Sequence, residues 1–454
     1  MGEQAIEFSA RASLVAVGLR FQQLQVWAVV AEQVKIKQKV LKHKPLEKLL
    51  DCLINILAGG TGLVETNTRV RPDRAVQRAF GRSSCAEQST ISDTLNVCTS
   101  QNVQELRRAL TLIVRQHSQS YRHNYQSRWQ LLDVDITGMP AGRQGEGVTK
   151  GYFANQKNRR GRQLGRVLGT WYDEIIVDQL YTGKRQLNQS LQALMLAAET
   201  VLELDGGKRQ RTIVRVDGGG GEDDQINWLL ERDYHLLVKV KNWRRAHKLA
   251  ASVKQWYADP KVPDREVGWV IQSQPNAKPT RQLALRKRKA NGSWSYHVLV
   301  FTLTNDMLLD LCQQSVPPAL QEADILLAAL HAYDRRGGGL ETQNRGDKQG
   351  LGLSRRNKHR FVAQEMLVLL AQLAHNLVIW TRNELAQAEP RLHKYGIQRT
   401  VRDAFQIAGT IRVDAQGQIQ LITLNESHPL ASVFHKAFAP PLASDDLSLI
   451  LGKI

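Results

Sequence analysis

Cysteine is scarce in this sequence. Only four of the 454 residues are cysteine, and no two of them stand two to four positions apart, as zinc-ligand pairs do. We therefore expect neither a structural zinc site nor a disulfide scaffold. The first residues, MGEQAIEFSARAS, also lack the basic cluster and apolar run of a secretory signal, which predicts a cytoplasmic protein.

A long uninterrupted apolar run is also missing. The longest apolar stretch, Phe361 to Trp380, is broken by polar side chains at positions 364, 365, 372, 375 and 376. A bilayer-spanning helix excludes such residues or buries them against partners. We interpret the stretch as a core helix and expect no membrane partner.

Acidic residues are outnumbered. The chain has 62 Lys and Arg against 43 Asp and Glu, a formal charge of +19. Such a surplus repels itself unless an anionic partner is near, and phosphate backbones are the commonest such partner, ahead of anionic membranes. The hydrophobic share of 42% supplies enough apolar material for roughly two to four domains.

The order of predicted elements indicates a mixed α/β fold. Residues 10 to 125 have helical periodicity, and the pattern changes to buried strands at Trp129. Three strands, a helix, a strand, a helix and a strand follow up to Lys241, which is the ribonuclease-H-like order of a mixed sheet with packed helices. An Asn-Gly hairpin signal at Asn291 and Gly292 marks a later β-strand insertion.

This pattern divides the chain into five predicted segments. They are an α-helical N-terminal DNA-binding domain (1–125), the first part of a catalytic core (126–241), a β-rich insertion (242–325), the second part of the core (326–390) and a C-terminal helix and hairpin region (391–454). Glu87 to Cys98 is either a recognition helix of a helix-turn-helix or an ordinary capped helix of a bundle.

Two acids fall on strands that this order makes neighbours. Asp135 lies near the middle of the first strand, and Asp217 lies at the end of the strand after the first helix. Two carboxylates brought that close need a proton or a divalent cation between them. Mg²⁺ suits such a site, because it accepts one or two carboxylates and takes further ligands from a phosphate substrate. Asp133, two residues earlier on the same side of the strand, is interpreted as a solvated or salt-bridged acid, with a metal neighbour as the alternative.

A third acid is expected on a later helix. Glu341 follows three glycines and, if it begins a helix, Arg345 and Lys348 lie along its own face. The glycines at 218–221 lack the Lys-Ser/Thr end of a nucleotide-binding loop and are interpreted as a flexible turn.

These residues resemble a known family, the bacterial insertion-sequence DDE transposases of the IS-four-like superfamily. The resemblance runs in order over most of the chain, although four residues rather than the usual three separate the Arg and Glu of the signature. The matching residues are Asp135 in DVDIT, Asp217 in VRVDGG, and Tyr333, Arg336, Glu341 and Lys348 of a Tyr-Arg-Glu-Lys signature.

The resemblance implies cut-and-paste transposition. Asp135, Asp217 and Glu341 would hold two Mg²⁺ ions, with Mn²⁺ as an alternative. The partners would be double-stranded DNA, as terminal inverted repeats and target, and a second copy in a homodimer associated with the bacterial nucleoid. The residues expected to bind DNA are Tyr333, Arg336, Arg345, Lys348, Arg355 and Arg356. Alternatives are a nuclease that cuts without joining and an inactive, transposase-derived DNA-binding protein.

Three basic stretches extend the predicted DNA surface. They are Lys150 to Arg166, Arg281 to Lys289 and Ser354 to Arg360. Each alone is typical of a solvated face, but their repetition around the acids favours a DNA track. Trp243 and Trp294 are either stacking residues on that track or, more often for tryptophan, part of the core.

Overall fold

The computed structural model describes residues 5–151, 153, 156, 158–313, 320–444 and 446–454. The remaining residues, which belong to the predicted N-terminal domain, first core part, insertion and C-terminal region, lie outside the described residues. The chain forms two compact units. The helical unit contains Met1–His117, Pro140–Val148 and Gln343–Ile454, and the sheet unit contains Ser118–Met139 and Thr149–Thr342. The functional boundaries at 125, 241, 325 and 390 stay predictions.

The helices of the described chain include ordinary α-helices and a few tighter or wider turns. The α-helices are α1 (Ala12–Gln23), α2 (Val26–Gln33), α3 (Pro45–Leu57), α4 (Arg74–Ala79), α5 (Gln88–Val97), α6 (Ser100–His117), α7 (Leu191–Leu202), α8 (Gly206–Gln210), α9 (Asp223–Glu231), α10 (Trp243–Ala250), α11 (Asn305–Cys312), α12 (Glu322–Arg336), α13 (Thr342–Gly350), α14 (Phe361–Ala388), α15 (Ile397–Arg399) and α16 (Ala431–Leu442). Turns of π-helix occur at Thr66–Val70, Gly337–Glu341 and Thr400–Ala404, and 3₁₀ turns at Leu187–Gln189 and Pro390–Lys394.

The strands fall into a small and a large sheet. They are β1 (Ala5–Ser9), β2 (Gln130–Pro140), β3 (Thr149–Lys150), β4 (Arg160–Gly169), β5 (Glu174–Thr182), β6 (Thr212–Val216), β7 (His235–Lys239), β8 (Tyr257–Ala258), β9 (Arg265–Trp269), β10 (Arg281–Arg288), β11 (Trp294–Phe301), β12 (Gly409–Val413), β13 (Ile419–Asn425) and β14 (Ser448–Gly452).

The helical unit has one continuous hydrophobic core that joins α1–α6, α14 and α16 to a four-stranded sheet of order β1-β12-β13-β14. Helix α14 has no glycine or proline, and it ends just before Pro390. It is long and apolar enough to cross a membrane, yet 89% of its most apolar window is buried inside the protein. The prediction of a core helix is confirmed.

The sheet unit is a mixed ten-stranded sheet of order β3-β4-β2-β6-β7-β11-β10-β9-β8, with β5 paired to β4. The predicted succession of three strands, helix, strand, helix and strand is found as β2, β4, β5, α7, β6, α9 and β7. Strands β2, β6 and β7 are parallel, whereas β4 and β5 are antiparallel. The mixed α/β class is therefore confirmed.

The β-rich segment predicted for 242–325 extends this same sheet. Strand β11 pairs antiparallel with β7, and β10 and β9 follow outward. The predicted hairpin between β10 and β11 is confirmed, and Gly292 at its turn has φ +78°, a conformation that favours glycine.

A buried ion pair joins the two central strands. Asp133 on β2 lies opposite Arg215 on β6, and the guanidinium donates from Nε and Nη2 to the two carboxylate oxygens at 2.7 Å each. Arg215 also donates from Nη1 to the carbonyl oxygen of Ala332 on α12 at 2.6 Å. The interpretation of Asp133 as a salt-bridged acid is confirmed, and the pair fixes α12 to the sheet.

We expect Asp133→Ala to lower the free energy of unfolding by about 3–5 kcal/mol, because it leaves the buried Arg215 charge uncompensated. Chemical unfolding followed by circular dichroism measures this change. Asp233→Asn, which removes the exposed ion pair with Lys278, is the matched control and should leave the unfolding midpoint unchanged. Equal effects of the two substitutions would contradict a structural role for the buried pair.

Candidate active site

The central strands bring the first two predicted acids together. The parallel pairing of β2 and β6 runs from Gln130 opposite Thr212 to Val134 opposite Val216. Asp135 and Asp217 are the next residues of the two chains after this pairing, and both line the same cavity. Because neighbouring strands lie about 4.8 Å apart, the two carboxylates share one edge of the sheet. The predicted adjacency of their strands is confirmed.

Backbone amides orient both carboxylates. The amide of Ile136 donates to Asp135 Oδ1 at 2.8 Å, and the amide of Gly219 donates to Asp217 Oδ1 at 2.8 Å. The glycine loop after Asp217 also packs tightly, since a Cβ on Gly221 would lie 1.8 Å from the carbonyl oxygen of Lys239. Position 221 therefore needs glycine for close backbone approach, and the interpretation of the loop as a flexible turn stays a prediction.

Arg336, at the end of α12, bridges two of the predicted acids. Its Nη2 lies 3.0 Å from Asp135 Oδ2, and its Nη1 lies 3.3 Å from Glu341 Oε1. The arginine is only 4% exposed, whereas the Glu341 side chain is 61% exposed. Arg336 thus faces the acids, which differs from the prediction that it serves as a DNA contact.

The unusual spacing between Arg336 and Glu341 has a structural explanation. The segment Gly337–Glu341 forms a turn of π-helix, in which residues five apart rather than four apart come into register. The extra residue relative to the family signature is absorbed in this turn. Gly339 has non-helical dihedral angles there, and a Cβ on it would lie 3.1 Å from Asp133 Oδ2. Gly339 therefore lets the chain pass close to the sheet.

The electrostatics of Asp135 reflect this crowding. Burial raises the pKa of Asp135 to about 6, against the lowering effect of the Arg336 guanidinium. The charges of Asp217 and, more weakly, Glu341 raise the pKa further. The three predicted acids are therefore electrostatically linked around one buried guanidinium.

Tyr333 belongs to the same cluster. It lies one turn before Arg336 on α12 and is half-buried against the apolar core of the sheet unit. Burial raises the pKa of its hydroxyl above the ordinary value, and the charges of Asp217, Asp135 and Glu341 add to this rise. The hydroxyl therefore stays protonated at neutral pH and can donate a hydrogen bond.

A cavity of about 630 Å³ opens beside the first two acids. Asp135 and Asp217 line it together with three cationic side chains, Arg185, Lys239 and Lys241. Sequence analysis missed these cations, although the alternation in YHLLVKVK placed both lysines on one side of a strand. The cavity combines carboxylates with cations, as a site for phosphate esters requires.

Two aromatic side chains also line this cavity. Trp243 is 69% exposed, so the core-packing interpretation is wrong, and the Arg244 guanidinium lies 5.5 Å from the centre of its ring. Burial, helped by the charge of Lys239, lowers the pKa of His297 to about 4, which keeps this imidazole neutral at physiological pH. Trp294, by contrast, is half-buried, and the Arg286 guanidinium lies 4.5 Å from the centre of the Trp294 ring.

The remaining predicted DNA-binding residues belong to the helical unit. On α13, Arg345 is exposed and Lys348 is half-buried, and Arg355 is exposed after it. Arg356 is buried, and its guanidinium donates to the carbonyl oxygens of Leu351 and Gly60. This placement contradicts the prediction that Arg356 contacts DNA, because the side chain stabilises the fold instead.

The basic stretch Lys150 to Arg166 is also partly structural. Residues 152, 154, 155 and 157 of it lie outside the described residues. Of the rest, Arg162 and Arg166 are buried, and Arg166 donates to both carboxylate oxygens of Asp178 at 2.7 Å. These arginines are strand residues of the core, so the stretch is not one continuous DNA surface.

No group of three or more His, Cys, Asp or Glu side chains is close enough to hold a metal ion within the described part of the chain. Asp135, Asp217 and Glu341 nevertheless offer the hard oxygen donors that Mg²⁺ prefers. A buried guanidinium already compensates two of these acids. The oxygen donors thus fit a divalent cation. In the structure, however, two of the acids form ion pairs with Arg336 instead.

A family model described as "Transposase DDE domain group 1" matches residues 11–441 of the sequence. The chain belongs to this family. DDE transposases are DNA-cleaving and DNA-transferring enzymes that generally use divalent metal ions. The narrower assignment to the bacterial IS-four-like superfamily stays a prediction.

One solved structure with similarity to this DDE transposase chain is a cryo-EM structure of the piggyBac transposase synaptic complex with hairpin DNA. The sequence identity is 12%, the match covers 96% of this chain and 82% of that chain, and the TM-score is 0.45. Among curated proteins, none matches this chain significantly.

We expect Asp135→Asn to stabilise the transposase at pH 7.5 in the presence of EDTA. The pKa of about 6 in the folded protein exceeds the ordinary 3.8, so ionisation of Asp135 destabilises the fold as the pH rises from about 4 to 6. The neutral amide avoids this loss, which is about 3 kcal/mol for a pKa of about 6 against 3.8. The thermal midpoint, measured between pH 5 and 8, should show a gain that shrinks as the pH falls.

The control is Asp224→Asn on the exposed first turn of α9, which should not reproduce this pH dependence. A lower midpoint for Asp135→Asn than for the wild type at pH 7.5 would show that the attraction to Arg336 outweighs burial and repulsion.

Proposed function

We propose that this protein catalyses cut-and-paste transposition of a DNA element. It would cleave DNA at terminal inverted repeats and join the freed 3′ ends to target DNA. The observation that carries the proposal is the cluster of Asp135, Asp217 and Glu341 around Arg336 in a chain that belongs to a DDE transposase family.

The order of the strands supports a ribonuclease-H-like core for this site. Strands β5-β4-β2-β6-β7 are consecutive in the sheet, with β5 and β4 antiparallel and β2, β6 and β7 parallel. Asp135 and Asp217 come at the carboxyl-terminal side of the pairing between the two central strands. The core therefore presents both acids at one edge, beside the cavity.

Asp135, Asp217 and Glu341 would hold Mg²⁺, with Mn²⁺ as an alternative, and we infer two ions from the family resemblance. Bound metal would supply Lewis-acid stabilisation of the leaving oxygen and activation of water or a 3′ hydroxyl. Arg336 contributes a positive charge to the same oxygens, and so it competes with a cation for Asp135 and Glu341.

The cations and the exposed aromatic ring of the cavity suit a DNA end. Arg185, Lys239 and Lys241 can neutralise phosphates, and Lys241 is held at 2.7 Å by Glu222. Trp243 is exposed beside the Arg244 guanidinium, and a base could stack on its ring. A homodimer that holds two element ends, acting in the cytoplasm on nucleoid DNA, completes the proposal.

We expect Asp135→Asn and Glu341→Gln to reduce Mg²⁺-dependent cleavage of the element-end DNA to the level seen without metal. Binding of the same DNA should remain within a few-fold of the wild type, because the basic surface is unchanged. Gel assays of cleavage and fluorescence anisotropy of binding measure the two effects. The matched control, Asp224→Asn, should cleave normally.

Pre-cleaved ends with a free 3′ hydroxyl separate joining from cutting. A wild-type protein that joins these ends to a target plasmid acts as a transposase, whereas cleavage without joining favours the nuclease alternative. Normal cleavage by either active-site variant would refute the proposed site.

Arg336→Gln should bind divalent metal more tightly than the wild type, because it removes the cation that competes for Asp135 and Glu341. We expect the Mg²⁺ or Mn²⁺ concentration that gives half-maximal thermal stabilisation to fall by about tenfold. This factor corresponds to an interaction free energy of about 1.4 kcal/mol. Arg335→Gln is the matched control, since Arg335 donates to the carbonyl oxygens of Leu311 and Cys312 instead. An unchanged or weaker metal response in Arg336→Gln would contradict the competition.

A further inference from the structure

A lysine-rich segment connects α2 to α3 in the helical unit. It has an irregular, largely extended backbone between Gln33 and Pro45. The five lysines on it, which we call the lysine strip, are all exposed: Lys35, Lys37, Lys39, Lys42 and Lys44. Sequence analysis did not single out this segment, because its lysines are interspersed with apolar residues.

Buried and exposed side chains alternate along the strip. Val34 belongs to the buried core, and Ile36 packs against that core from the half-buried layer. The lysines at 35, 37 and 39 therefore lie on the opposite side and face solvent. One side of the segment therefore packs on the core, and the ammonium groups lie on the other side, in solvent.

Hydrogen bonds fix the backbone of the strip. The amide of Lys35 donates to Glu105 Oε2 at 2.9 Å, and its carbonyl oxygen accepts from Asn102 Nδ2 at 3.0 Å. Gln38 Oε1 accepts from Thr94 Oγ1 on α5 at 2.7 Å and from Lys48 Nζ at 3.1 Å. The lysines are thus held on a fixed track rather than on a loose loop.

The carboxylates of Glu105 and Glu47 accept from backbone amides of the strip, those of Lys35 and Lys44, rather than from its ammonium groups. Lys35 Nζ donates to the carbonyl oxygen of Ala31 at 3.0 Å, but within the described residues no carboxylate forms an ion pair with any of the five ammonium groups. Two acids, Glu87 and Asp93, line a cavity of about 430 Å³ beside Lys39 and Lys42. Of these acids, Glu87 is paired with Arg71 at 3.2 Å.

The spacing of the ammonium groups suits a regular polyanion. Alternate residues of an extended chain repeat about every 6.6–6.8 Å on one side. This repeat is comparable with the separation of successive phosphates along a nucleic-acid strand. The neighbouring helix α5 exposes Ser89 and Thr90, hydroxyl side chains that commonly bind phosphate or sugar oxygens.

We infer that the lysine strip binds the phosphate backbone of duplex DNA, as a contact on the helical unit in addition to the catalytic cavity. The inference rests on the proposed function, which supplies duplex DNA as the substrate. A membrane surface is the less suitable partner, because the strip is extended and lacks the broad apolar face of an interfacial helix. Val40 and Leu41 are its only exposed large apolar side chains in the described segment.

The salt dependence of DNA binding tests this inference. Each phosphate contact contributes about 0.9 to the slope of log K against log salt concentration. The triple substitution Lys35→Gln, Lys37→Gln and Lys39→Gln should therefore reduce the magnitude of the slope by about 2–3. Affinity for duplex DNA at low salt should fall by at least tenfold. Fluorescence anisotropy with full-length protein and a labelled duplex gives both quantities.

The matched control replaces three exposed lysines of the same unit, Lys394, Lys436 and Lys453, by glutamine. This variant has the same net charge as the strip variant, so it should keep the wild-type slope if the position of the charges matters. Circular dichroism and the thermal midpoint verify that both variants are folded. Equal slopes for the two variants would overturn the strip as a DNA contact.

Two further outcomes are distinguishable. A wild-type protein that does not bind duplex DNA contradicts the proposed function itself, whereas a steep wild-type slope unaffected by the strip substitutions contradicts only the strip. Vesicles containing phosphatidylserine form the last arm. Loss of vesicle binding with retention of DNA binding in the strip variant would assign the strip to a membrane surface and overturn the inference.

Discussion

Repulsion between carboxylates at one edge of a parallel strand pair is the constraint on which this site depends. The parallel pairing of β2 and β6 ends one residue before Asp135 and Asp217, so both carboxylates come to the same end of the strand pair. Glu341 adds a third negative charge nearby. In the structure the buried guanidinium of Arg336 forms ion pairs with Asp135 and Glu341, and the Lys239 ammonium interacts with Asp217. Because the acids need a cation nearby, the edge is also suitable for a divalent metal ion. The stability of the fold and the proposed chemistry therefore depend on the same three carboxylates.

The sheet prepares this edge one step earlier. Residues two apart on a strand share a side, so Asp133 and Arg215 lie on the same side as Asp135 and Asp217. The Asp133–Arg215 pair is buried and complete, and it also holds α12 through Ala332. Helix α12 in turn carries Arg336 and leads into the π turn that ends at Glu341. The buried Asp133–Arg215 ion pair therefore positions the helix that carries Arg336 beside the acids.

Much of this arrangement could be predicted from sequence, because hydrophobic alternation determines strands and their order determines which acids become neighbours. The helix α14, the strand succession up to β7 and the hairpin of β10 and β11 follow from such local patterns. The π turn after Arg336 could not be foreseen, since it depends on Gly339 fitting against Asp133 across the chain. The burial of some arginines could not be predicted either. Arg166 and Arg356 look like surface charges in the sequence, yet each donates hydrogen bonds inside the fold. Conversely, Trp243 looks like a core residue and is exposed.

The central claim is that the three acids form one cation site that Arg336 and a metal ion share. Anomalous X-ray diffraction from crystals of the protein soaked in Mn²⁺ tests it most directly. The account predicts an anomalous peak in contact with Asp135 and Asp217, together with a guanidinium of Arg336 displaced from Asp135. Saturating Mn²⁺ that gives no peak at these acids, with Arg336 still bound to Asp135, would contradict the account.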